Sequence, residues 1–200
     1  MPIQYADPTV SRVKFEREIA EYNAMRAEYQ SRGWFLTHAE FPNVSVVLAA
    51  PQLKPPAIIL GVEFDYANYD AAPPSVRLVN PITGVAFKHR ELPTPLNRAL
   101  PPQEVPVPGL GGQRVRVEGV QPYMQAHSPD DIPFLCVAGV REYHEHPAHS
   151  GDAWELHRAA GAGRLVRLLE IIHRYGIAPI TGYAVQLVPQ IGLDLGQAPA

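Results

Sequence analysis

Three observations predict an α+β fold for this chain. A helical apolar period runs near its start, four apolar runs follow in close succession, and a second helical stripe closes the sequence. Asp7-Pro8-Thr9 opens the first helix, which the spacing predicts over residues 9–31: Phe15, Ile19, Tyr22, Met25 and Tyr29 recur at three and four, and Gly33 is a stop. The apolar runs are residues 34–38, 44–48, 57–64 and 75–79, bounded by Pro51, Pro73-Pro74 and Pro81. Their short connections predict an antiparallel four-stranded meander. Residues 90–112 form a Pro/Gly-rich loop, and Val115 to Val120 alternates like a further strand or a hairpin arm. Asp152-Ala-Trp-Glu155 has the form of a capping box. Leu165, Leu168, Leu169, Ile172 and Tyr175 make the C-terminal helical stripe, stopped by Gly176. One further strand is expected from Tyr183 to Val188. This divides the chain into a domain over 1–176 and a C-terminal extension over 177–200.

Bulk composition narrows the function classes. The 200 residues carry 17 basic and 20 acidic side chains, a formal charge of -3, which gives no electrostatic footprint for nucleic acid or an anionic membrane. A single cysteine rules out an internal disulfide framework, and the first ten residues do not read as a secretory signal. A cytoplasmic setting is therefore expected. The 22 prolines are about twice the average usage and concentrate between Pro51 and Pro133. They predict short strands joined by stiff, extended connections.

Reactive side chains cluster around the lone cysteine. Cys136 is followed by Arg141, Glu142, Tyr143, His144, Glu145, His146 and His149, then by Asp152, Trp154 and His157. Five of the eight histidines, counting His127, fall in this stretch. Two kinds of chemistry fit. An extended run over 136–146 would turn Cys136, Glu142, His144 and His146 to one side, a donor set suited to zinc, with His149 as a replacement ligand. Six extended residues span roughly 20 Å, so Gly139 would have to turn the chain. Alternatively, Cys136 is a nucleophile whose thiolate is favoured by a histidine or Arg141, with His127, His144 or His146 serving the reaction and Glu142 orienting a ring. A third reading makes Phe134-Leu135-Cys136-Val137 a core strand with an inert thiol.

The segment Tyr69-Asp-Ala-Ala-Pro73-Pro74-Ser-Val76-Arg77-Leu78-Val79-Asn-Pro81 resembles the double-proline stretch of the ubiquitin-conjugating (UBC-like) family. Phe134-Leu135-Cys136-Val137 is similar to that family's thioester-cysteine segment. Trp154 and the 165–172 helix are similar to its post-cysteine tryptophan and crossover helix. His127-Ser128-Pro129 stands where the family has His-Pro-Asn. The His/Glu run after the cysteine resembles the bacterial predicted metal-binding Cys-Glu-His-His family of ubiquitin-like operons. The resemblance implies a UBC-like domain whose Cys136 carries a ubiquitin-like protein as a thioester received from an activating enzyme. Catalysis would then involve Cys136, His127, Glu142 and His144, with no cofactor. It equally implies a zinc protein of the same systems, ligated from Cys136, Glu142, His144, His146 and His149, or a non-catalytic UBC-like adaptor.

Overall fold

The computed structural model describes residues 4–106 and 113–184. Helix α1 spans Pro8–Ala24. The Asp7 side chain accepts from the Thr9 N–H at 2.8 Å, and Pro8 occupies the first turn, where its missing N–H costs nothing. The single helix predicted over 9–31 is two. A break at Met25 separates α1 from α2 (Arg26–Ser31). Beyond the break Tyr29 stacks on Trp34 at 5.0 Å and lies against Tyr22 at 5.1 Å. Gly33 ends α2 with φ at +86°, and a Cβ there would sit 2.3 Å from the Ala49 carbonyl oxygen.

Strands β1 (Trp34–Glu40), β2 (Asn43–Ala50), β3 (Ala57–Asp65) and β4 (Ser75–Val79) form one antiparallel sheet in the order β1-β2-β3-β4. The expected meander is present. One face carries Trp34, Val44, Val46, Leu48, Leu60, Val62, Phe64, Val76 and Leu78, all buried. Against it pack α1, through Phe15 and Tyr22, and α5 (Leu165–Ile172), through Leu165, Leu168, Leu169 and Ile172. Glu18 ties the layers together. Nearly fully buried on α1, it accepts from the Leu165 N–H at 3.2 Å, at the first turn of α5, and from the Tyr69 hydroxyl at 3.3 Å. No helix among the described residues is long and apolar enough to cross a membrane.

The stretch read as a loop over 90–112 contains strands. β5 (Asn97–Ala99) pairs with β8 (Val120–Pro122), and β6 (Gln103–Pro106) pairs with β7 (Arg114–Val117). Together they make a two-stranded arm that leaves the body at Asn97. β9 (Met124–Gln125) and β10 (Phe134–Leu135) form a short pair beneath the cysteine segment. Helices α3 (Arg141–Glu145) and α4 (Glu155–Arg158) precede α5. The capping box expected at Asp152 does not form: α4 starts after Trp154 without a side-chain cap, and the Asp152 carboxylate is used elsewhere. The strand expected from Tyr183 to Val188 lies, from Val185 onward, outside the described residues.

Candidate functional site

The cysteine segment is held from below. Leu135 is fully buried, and the Cys136 N–H bonds the Tyr123 carbonyl at 2.7 Å. A turn follows, in which the Val140 N–H bonds the Val137 carbonyl at 2.9 Å, and at Gly139 the Ala162 carbonyl oxygen lies 2.0 Å from where a Cβ would stand. The next residues are helical. Val140 is buried, Arg141 to Glu145 form α3, and a 3-10 turn covers Pro147–His149.

This helix undoes the extended arrangement from which one shared face was expected. Helical spacing sends the side chains apart. Glu142 turns to the sheet, where the Ser75 hydroxyl donates to it and the Val76 N–H lies 3.4 Å away. The two ring nitrogens of His144 lie 2.8 Å from the Asp152 carbonyl oxygen and 2.7 Å from that of Ala138. A neutral imidazole carries one N–H, so one of these contacts is a hydrogen bond to a carbonyl, and the other nitrogen also faces a backbone oxygen rather than the thiol or another imidazole. His146 lies over Phe134 at 5.0 Å and beside the exposed His127 at 5.6 Å. Among the described residues only His149 reaches the thiol, its Nε2 standing 3.4 Å from Cys136 Sγ, and its ring is stacked on Tyr143 at 3.9 Å.

Asp152 is the hub of the remaining contacts. Its carboxylate accepts from the Tyr143 hydroxyl at 2.6 Å and meets His157 Nε2 at 2.6 Å. The Tyr143 bond, then the His157 bond, holds the Asp152 carboxyl below its ordinary range. The same bond, with burial, pushes the Tyr143 hydroxyl up to about 12. Burial pushes the Cys136 thiol up as well, so its environment disfavours the thiolate that nucleophilic chemistry requires. Trp154 is a core anchor, buried and donating from its indole N–H to the Asp70 carbonyl at 2.9 Å.

A polar cavity of about 430 Å³ lies between α3 and the outer sheet face, lined by Glu63, Asp65, Arg77, Arg141, Glu142 and Glu145 among others. Its best-placed charges are spent internally, since Arg141 reaches the Asp65 carboxylate at 3.4 Å and the Pro73 carbonyl at 3.3 Å.

A second cavity, of about 560 Å³, is apolar and was not signalled by reactive side chains. Its cause is a mismatch in strand length. β4 pairs with β3 only from Gly61 to Asp65, and Pro81 follows β4 two residues after its end. On one side Ala57, Ile58 and Leu60 pair with β2, around a bulge at Ile59, and on the other side no described residue pairs with 57–60. Beside that open edge lie Pro93, Pro95, Tyr175, Ile180 and Tyr183, with Ile58 projecting at 62% exposure. The far wall is fixed: Gln52 donates to the carbonyls of Ile177 and Ile180, and the Tyr183 hydroxyl donates to that of Pro55 at 3.4 Å. Ile58 and Ile59 are adjacent apolar residues in one strand. That pattern reads as burial on both faces, and here it marks an uncovered strand half.

Fold and site thus define an α+β protein with a helix-covered antiparallel meander, a self-bonded cysteine segment and an open strand edge. The Y4jH-like family model (Y4jH family) matches residues 6–180, and the chain belongs to that family. It is 39% identical over 196 residues to the uncharacterized protein y4jH of Sinorhizobium fredii (strain NBRC 101917 / NGR234), covering 95% of this chain and 93% of that protein.

These findings correct several expectations. Membership of the Y4jH family replaces the resemblance to UBC-like conjugating enzymes and to the Cys-Glu-His-His family. The ubiquitin-like transferase activity expected of Cys136, His127, Glu142 and His144 falls with it. The thiol is disfavoured as thiolate, Glu142 faces Ser75, both ring nitrogens of His144 face backbone carbonyls, and His127 meets His146 rather than the sulfur. Zinc is corrected too. Cys136, Glu142, His144, His146 and His149 do not converge, and among the described residues no group of three or more His, Cys, Asp or Glu could hold a metal ion.

Proposed function

We propose that this protein is a binding module that takes an extended protein segment by strand addition at β3. The observation that carries this is the unpaired edge at residues 57–60, set beside an apolar groove. An unpaired strand edge presents a row of backbone donors and acceptors that another strand satisfies. Main-chain bonds supply affinity in that mode, and pockets for alternate side chains supply selectivity. Tyr175, Tyr183 and the prolines suit such a groove, being amphipathic or stiff and losing little freedom on binding. As the finer reading of the fold, the order helix, meander with a double proline before its fourth strand, proline-rich arm, cysteine segment and helix supports a UBC-like architecture, without the conjugating activity. Superposition of an experimental structure on UBC-fold domains tests that reading.

Selection of the full chain against a phage-displayed library of random peptides tests the function. The selected peptides should carry apolar residues at alternate positions, and their amide shift perturbations should map to residues 57–60 and Tyr183. Ile58→Asp places a charge against the groove and should weaken the selected peptides by about tenfold or more. Ile58 is exposed, so the same change should alter folding stability by no more than about 0.5 kcal/mol. Peptides that bind Ile58→Asp as well as the parent, or that map to the polar cavity at Arg141, would sink the reading.

A further inference from the structure

The open stretch of β3 is short, and both of its ends are closed. Pro55 and Pro56 precede it and have no backbone N–H to offer. Beyond Leu60 the edge is taken, because Gly61 pairs with Val79, and Pro81 stands 3.5 Å from where a Gly61 Cβ would be. Within the stretch the pairing with β2 slips at Ile59, which leaves the ladder irregular. Regular alternation turns neighbouring side chains to opposite faces, yet Ile58 and Ile59 both line the groove. An incoming segment therefore meets two isoleucines together and few main-chain partners. Net hydrogen-bond contributions are modest, so backbone pairing alone does not hold such a segment.

The surroundings of the groove are basic. Three stretches build it, 51–60, 92–100 and 171–184, and they contain no Asp or Glu. They do contain Lys54, Arg98 and Arg174, all exposed and none with an ion-pair partner among the described residues. Lys54 follows Leu53 of the lining. The Arg174 guanidinium carbon lies 5.5 Å from the centroid of the Tyr175 ring. Arg98 stands beside the hydroxyl of Tyr123, whose ring is 4.9 Å from that of Tyr175. The acidic residues next to these stretches are engaged elsewhere: Glu91 accepts from the Lys88 N–H, and Glu170 holds Arg32. His173 packs on Trp34 at 5.4 Å. The lining itself carries no charged side chain. An uncharged apolar floor with a cationic rim, in a chain of net charge -3, is the complement of a segment apolar in its middle and acidic on either side.

We infer that the segment received at the β3 edge is a short apolar run, of at most four residues, flanked on both sides by side-chain carboxylates. The inference rests on the strand-addition reading of the groove and deepens it. The apolar run covers Ile58 and Ile59. Its flanks, forced off the edge at Pro56 and at Gly61, bring their carboxylates to the rim cations. A longer apolar strand finds no further edge to pair with, and a basic segment is repelled by the rim.

Fluorescence anisotropy of labelled peptide pools with the full chain tests this. Each pool has the same randomised core of four residues drawn from Val, Ile, Leu, Thr and Phe, flanked on both sides by paired glutamates, glutamines or lysines. At low salt the glutamate pool should bind at least about tenfold tighter than the glutamine pool, with the lysine pool weakest, and the gap should narrow as salt rises. Lys54→Glu with Arg174→Glu, both on exposed side chains, should reverse the order of the glutamate and lysine pools, which a misfolded protein cannot do. Doubling the length of the core should tighten binding by less than about threefold. Equal binding of the glutamate and glutamine pools overturns the inference, as does an unreversed order in the double variant or a larger gain from the longer core. Ile58→Asn separates the two readings. If the pools bind equally yet all weaken in Ile58→Asn, the acidic flanks fall and the groove stands. If no pool binds, or none responds to Ile58→Asn, both fall together.

Discussion

The cysteine segment and the groove beside β3 divide the chemistry of this molecule unevenly. The cysteine segment holds a thiol, four imidazoles, a phenol and the carboxylates of Glu142, Glu145 and Asp152, and most of them are bonded to one another, to Ser75 or to the backbone. Tyr143 and His157 share Asp152, His144 faces two carbonyls, and His149 meets the thiol. The groove holds isoleucines, prolines and two tyrosines, and its backbone edge is unmatched among the described residues. Reactive residue types therefore mark the part of the protein that is internally satisfied, while the plain part is open. An unpaired buried or half-buried polar group costs free energy, so polar-rich segments bond internally unless function prevents it. Chemical richness in a sequence thus says less about function than an account of which groups remain without partners.

The comparison is tested most severely at Leu135. If the cysteine segment is chiefly structural, its foundation is core. Leu135 is fully buried beside Cys136, so Leu135→Ala should cost about 3 kcal/mol in denaturant unfolding. A loss below about 1 kcal/mol would mean that the segment is loosely attached and would break the contrast with the exposed Ile58.

Much of the frame was legible in the sequence, and the reasons differ by element. The meander was readable because proline and glycine bound each strand and β-branched residues fill them. Helix α5 was readable from one continuous stripe. Helix α1 is overextended in the sequence because the apolar period runs through Met25 unbroken, whereas the Met25 backbone, at φ -116° and ψ 19°, leaves the helix. The first half of the arm reads as loop because its prolines, Pro101, Pro102 and Pro106, interrupt any strand pattern, while Val115 to Val120 reads as a strand or hairpin arm. Such prolines are compatible with an exposed ribbon whose outer edges are unpaired. The cysteine site was misread for one reason. The parity of residues 136, 142, 144 and 146 matters only on a strand, and Arg141 to Glu145 fold as a helical turn. The groove left almost no signal, since a strand half without a partner is a fact about where β4 stops.

A smaller effect comes from acid. Asp152 is held below the ordinary carboxylate range first by Tyr143 and then by His157. Its folded form therefore binds a proton less readily than its unfolded form. The stability this contributes is complete above the unfolded carboxyl's value, about 3.9, and is lost as pH falls through the folded one. Asp152→Asn removes that linkage, so the decline in stability below about pH 4 should be shallower than in the parent. Parallel acid limbs for the two proteins would show that the Tyr143–Asp152–His157 group does not hold the segment together.

The smallest effect expected is at the residue that draws most attention in the sequence. Cys136 is half-buried, its thiol is pushed up by burial, and its only close side-chain partner among the described residues is His149. Serine keeps a donor for that ring and removes little apolar volume, so Cys136→Ser should cost about 1 kcal/mol or less. It should leave peptide selection at β3 unchanged. In the parent, alkylation by iodoacetamide at neutral pH should be slower than that of free cysteine, because the thiolate is the reacting species and is scarcer here. Faster alkylation, or loss of binding in Cys136→Ser, would return the cysteine segment to the centre of function. That outcome would mean the thiol acts in a state that its contacts with His149 and the burial around it do not favour.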